Sequence, residues 1–160
     1  MTLYVNTALF TRQPLWNPAQ AVNYAKGQVT KPSRNWTNDC DMFAGAMVWG
    51  FGGSGNTGAK QDYDLTPNNR KHHMDVKNAP LGAQVYWATG RWWHTALVVG
   101  AGGLVASTDV LRPGRVDLVN FDLISHKWNA KCMGWTIPDL RMAWGRNPSS
   151  PPSKTHIPGA

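Results

Sequence analysis

A short turn, Gly100-Ala101-Gly102-Gly103, separates two apolar runs, Trp92-Trp93-His94-Thr95-Ala96-Leu97-Val98-Val99 and Leu104-Val105-Ala106-Ser107-Thr108-Asp109. Glycine takes the left-handed backbone that a tight reversal needs, so the two runs read as adjacent antiparallel strands. A symmetric turn sets Val99 opposite Leu104, Leu97 opposite Ala106 and His94 opposite Asp109. Opposed side chains have Cβ atoms roughly 4.5–5.5 Å apart on one face of a sheet, which makes His94 and Asp109 neighbours. A loop longer or shorter by one residue would bring Thr108 or Val110 opposite instead. An imidazole beside a carboxylate has its ring orientation and tautomer held, as a general base requires.

A base needs a nucleophile to serve, and Cys40 is the candidate. Thr37, Asn38 or Asp39 can cap a helix that begins at Cys40, and Phe43, Ala44, Met47 and Val48 follow at the spacing of one buried face, carrying it toward Gly50. A thiol in the first turn feels unpaired N–H groups and the positive end of the helix dipole, which favour its thiolate. The backbone N–H of Cys40 is then a candidate oxyanion donor. Two cysteines, Cys40 and Cys132, do not make a disulfide scaffold in a chain of 160 residues, and both read as free thiols.

Around these residues the chain organises as helices first and strands afterwards. Asn17 caps a helix that has Pro18 at its first position and ends at Gly27. Gly50 to Gly58 is a turn-rich segment. Gly53 to Lys60 nearly spells a phosphate-binding loop, but the lysine is one place late and no strand precedes it, which excludes nucleotide binding. Asp62, Asp64, His72, His73 and Asp75 read as solvated polar residues, with no spacing that would gather metal ligands. Short strands follow at 84–87, 92–99, 104–109, 115–119 and 132–137. This order predicts one α+β domain over residues 1–146, with helices on an antiparallel sheet. Residues 147–160, rich in Pro and Ser, read as a tail or linker.

A net charge of +7 and a pI near 9.7 call for a polyanionic neighbour. Nine tryptophans exceed what a core of this size can hide, so some line a groove: Trp36, Trp92 and Trp93 flank the candidate site residues. Neither a signal peptide nor a membrane-spanning run is evident, so the chain is expected to be made in a cytoplasm without membrane insertion.

Asp39-Cys40-Asp41-Met42-Phe43, Pro80-Leu81-Gly82-Ala83-Gln84-Val85-Tyr86-Trp87 and His94-Thr95-Ala96-Leu97-Val98-Val99-Gly100 resemble, in this order, three motifs of the NlpC-like and CHAP cysteine peptidases. The likeness spans about residues 18 to 140 at the level of pattern. Ala83 departs from the family's usual Asp, and Ala106 stands where NlpC-like members commonly have a second histidine. Asp109 fits the later acidic position of CHAP members, with Ser107 on the same face in reserve. The resemblance implies a papain-like fold and hydrolysis of an amide bond of bacterial peptidoglycan, and the residues themselves call for no cofactor and form no recognisable metal cage. The bond is either the amide between sugar and stem peptide or one within the peptides. A bacteriophage endolysin of this kind is expected to be a monomer that accumulates in the host cytoplasm before lysis. Its partners would be the wall and its anionic polymers, and not nucleic acid. The alternatives are a secreted antibacterial amidase toxin of the same fold, or a non-catalytic module that binds glycan or nucleic acid.

Overall fold

The computed structural model describes residues 3–72 and 74–153. Four helices, α1 (Pro18–Thr30), α2 (Cys40–Ala44), α3 (Ala59–Leu65) and α4 (Phe121–Trp128), accompany an antiparallel sheet. Its main strands are β2 (Gln84–Ala88), β3 (His94–Gly100), β4 (Leu104–Thr108), β5 (Val116–Asn120) and β6 (Lys131–Thr136), ordered β6-β2-β3-β4-β5. A two-residue strand, β1 (Lys71–His72), extends the sheet beyond β6. The chain is therefore α+β, as the succession of patterns predicts.

The capping signals act as read at α1 and differently at α2. Asn17 and Gln20 form a reciprocal capping box, with Pro18 behind the cap. Gly27 does not end α1, which continues to Thr30, because a glycine only lowers helix stability and the next turn still closes onto it through Lys31 N–H and Gly27 O. The cysteine helix is shorter than its apolar period suggests: α2 stops at Ala44, and a separate 3-10 turn covers Met47–Trp49. The buried face carries through this break, and Phe43, Ala44, Met47 and Val48 all reach the core.

All seven residues of β3 are buried, so both faces of the sheet are covered at its centre. The predicted pairing holds where the ladder is regular, at Leu97 with Ala106 and at Val98 with Val105. Beyond Val98 the register shifts, and Leu104 pairs with Gly100 instead of Val99. Trp92 and Trp93 lie outside the strand in the preceding turn, where Trp93 takes a φ of +63°.

Residues 147–153 do not leave the domain as a tail. The Asn147 side chain donates to Met47 O at 2.9 Å and its N–H to Gly50 O at 2.9 Å. Gln20 and Asn23 of α1 then donate to the carbonyls of Pro152 and Ser153 at 3.1 and 2.8 Å. A proline-rich segment has free carbonyls to offer, and side chains on α1 take them. The expected tail from 154 onward lies outside the described residues, as do His73 and the side chain of His72. No helix among the described residues is long and apolar enough to cross a membrane.

Candidate active site

Cys40, His94 and Asp109 line one cleft of about 540 Å³. Cys40 opens α2, where the first N–H groups have no acceptor within the helix. Asp39 occupies the cap position but makes no capping bond; it pairs with Arg34 at 2.6 Å instead. Both cysteines are free.

Asp109 lines the cleft without holding His94. β4 ends at Thr108, and Asp109 has already turned into the left-handed region at φ +67°, which carries its side chain off the ladder. Its carboxylate accepts two backbone N–H groups, from Asn38 at 2.8 Å and Gly114 at 2.6 Å. Asp109 thereby ties the loop before the nucleophile to the turn after β4. Gly114 is needed there: its φ is +75°, and a Cβ on it would come within 2.5 Å of Asn35 Oδ1.

The partner of His94 is Ser107, the residue held in reserve by its place on the same sheet face. Nε2 of His94 lies 2.7 Å from Ser107 Oγ, and that hydroxyl reaches Thr108 O at 3.4 Å. The ring is 5% exposed, tilted against Trp87 at 5.8 Å and met edge-on by Trp128 at 4.7 Å between centroids. Burial among aromatic rings without a carboxylate pulls the imidazole down to about 3, so it is neutral at pH 7.

Burial also decides the state of the thiol. It is the largest cause pushing Cys40 up to about 12, with the Asp41 and Asp109 charges adding to it, against the Thr95 and Asp41 backbone N–H groups that favour the thiolate. The expected lowering by the helix dipole does not prevail, because α2 has five residues and desolvation acts on the sulfur directly. The resting site pairs a neutral thiol with a neutral imidazole across one cleft.

Three tryptophans wall the cleft, and one of them differs from expectation. Trp92, 51% exposed, and Trp93 line it as predicted. Trp36 does not: it is fully buried, edge-on to Phe43 at 5.1 Å, with its indole N–H donating to Gln28 at 3.2 Å. Its ring fits the apolar space under α2 better than a wet groove. Trp128 takes the third place in the wall, at the end of α4. The signal for it lay in Asn120, which caps α4, and in Ile124, which with Trp128 marks the inward side.

A second miss is Asp62, which is buried and not solvated. Asp64 is solvated as expected, in a surface pair with Lys60. No group of three or more His, Cys, Asp or Glu side chains among the described residues is placed to hold a metal ion. Compared with protein-family models, curated proteins and solved structures, the chain matches none.

Proposed function

We propose that this protein hydrolyses an amide bond of bacterial peptidoglycan, with Cys40 as nucleophile and His94 as base, on a papain-like arrangement of nucleophile helix and sheet. The observation that carries the reading is the convergence of Cys40, at a helix start, and a Ser107-bonded His94 in one tryptophan-walled cleft. With the proton on Nε2, His94 donates to Ser107, and Ser107 donates to Thr108 O. That leaves Nδ1 free to take the thiol proton while the sulfur attacks the carbonyl, and later to return it to the leaving amine. The Cys40 N–H faces the developing oxyanion. Trp92, Trp93 and Trp128 supply faces for sugar rings or peptide, and the surplus positive charge favours approach to an anionic wall.

An endolysin is the biological setting we favour, because the three sequence motifs resemble cysteine peptidases that digest walls. The test is turbidity clearing of purified cell walls by wild type, Cys40→Ala and His94→Gln, each confirmed folded by circular dichroism. Wild type should clear and the variants should not. Equal clearing by Cys40→Ala would overturn the assignment of the nucleophile. Mass spectrometry of the released fragments identifies the bond.

A further inference from the structure

Two carboxyl groups meet beside the nucleophile without a counter-ion. Asp41, next to Cys40 on α2, is 3% exposed, and Asp62 on α3 is 1% exposed. Gln84 Nε2 lies between them, 3.0 Å from Asp62 Oδ2 and 3.5 Å from Asp41 Oδ1. Asp41 also receives Asn56 Nδ2 at 3.3 Å and a hydrogen bond from Ser54. Neither carboxyl belongs to any ion pair among the described residues. Gly45 makes the approach possible, since a Cβ there would come within 2.7 Å of Asp41 Oδ1 and 3.0 Å of Asp62 Oδ2.

Two ionised carboxylates in contact in a dry site are opposed by their repulsion and by desolvation together. One proton between them relieves both. Ser54 and Asn56 donate to Asp41 alone and Tyr86 to Asp62 alone, with Gln84 shared and nearer Asp62; the larger set on Asp41 favours it as the carboxylate, which leaves the proton to Asp62. We propose that Asp62 is a positioning residue held as the neutral acid, whose hydrogen bond to Asp41 fastens α3 and the 54–58 loop to the nucleophile helix. Its effect on Cys40 chemistry rests on the proposed amide hydrolysis; the shared proton does not.

Burial and the Asp41 charge push Asp62 well above the ordinary carboxylate range, in agreement with this placement. The groups facing the pair are Ser54 and Asn56 from the loop, Gln84 and Tyr86 from β2, and Cys40 from α2, with Thr136 of β6 behind Tyr86. Of these only Cys40 and Tyr86 titrate, and burial raises both above their ordinary values. The folded chain therefore binds the Asp62 proton more tightly than the unfolded chain does. Its stabilisation is complete below the ordinary carboxylate pKa and is lost as pH rises toward the folded value.

Asp62→Asn supplies an N–H to Asp41 and has no proton to lose. In urea titrations from pH 5 to 9, the unfolding constant of wild type should climb faster than that of Asp62→Asn, by up to about tenfold per pH unit. Wild type at pH 7 should show a protonated-carboxyl C=O band in the infrared that Asp62→Asn lacks, and the alkaline limb of wall clearing should move to higher pH in the variant. Parallel unfolding curves, or no such band in wild type, overturn the proposal. The band is read on the native protein, so it decides even if the variant fails to fold. Absence of wall clearing by wild type would refute the proposed function while leaving the proton test intact.

Discussion

Acid should destabilise this protein through His94, and the size of the effect follows from where the ring sits. The imidazole is enclosed by Trp87 and Trp128, bonded to a neutral hydroxyl, and lowered to about 3 from an ordinary 6.5. Folding thus favours the neutral ring: its stabilisation is complete above the unfolded pKa of 6.5 and is lost as pH falls toward 3. The full shift corresponds to about 5 kcal/mol, and the part expressed between pH 7 and pH 4.5 is about 2.5 kcal/mol. His94→Gln removes the titrating group and keeps a side chain that can reach Ser107. In urea denaturation at the two pH values, wild type should lose about 2.5 kcal/mol more than His94→Gln, since the carboxylates contribute alike to both. Had Asp109 stood behind His94, the ring would hold its proton more tightly when folded, and the sign would reverse. Equal losses, or a smaller loss in wild type, would refute burial as the force acting on the site.

Ser107→Ala leaves a buried ring nitrogen without a partner, so it should cost about 1–3 kcal/mol in denaturation and, by freeing the ring, slow wall clearing about 100-fold. In a Cys132→Ser background, iodoacetamide labelling of Cys40 should accelerate about tenfold per pH unit from pH 7 to 9, as a thiol near 12 requires; a rate that is flat over this range would show a thiolate already present. Asp109→Ala deprives two backbone N–H groups of their acceptor and should lower stability by about 2 kcal/mol, while leaving the acid sensitivity of His94 in place. Trp36→Ala should destabilise the fold by about 3–5 kcal/mol as a core truncation, whereas Trp92→Ala should lower clearing with little change in stability.

The hairpin shows how far period and pairing reach. Leu97 and Ala106 pair as the glycine turn implies, because in a hairpin the length of the turn sets which residues meet beside it. The same extrapolation fails six residues from the turn, where Asp109 leaves the strand for a left-handed conformation. Nothing in the alternation of side chains marks that exit; it is stabilised by Gly114 in the turn that follows and by Asn38, which is distant in sequence. Cys40 at its helix start was legible from the apolar period that follows it, although no side chain caps α2. Its protonation state was not, since desolvation depends on what the sheet and the cleft walls place around the sulfur. Trp36 and Trp92 are alike as letters near site residues, and only the packing separates a core ring from a groove ring. The Asp41 and Asp62 contact was hidden for the same reason, because acidic residues in a polar stretch ordinarily face water.

Enclosure of the Cys40 sulfur bears on how the protein ages. Peroxide and oxygen-derived oxidants attack the thiolate, and a thiol raised to about 12 is almost wholly protonated at pH 7. The thiol we propose as nucleophile is thereby kept in its least oxidisable form until the His94 imidazole draws its proton off.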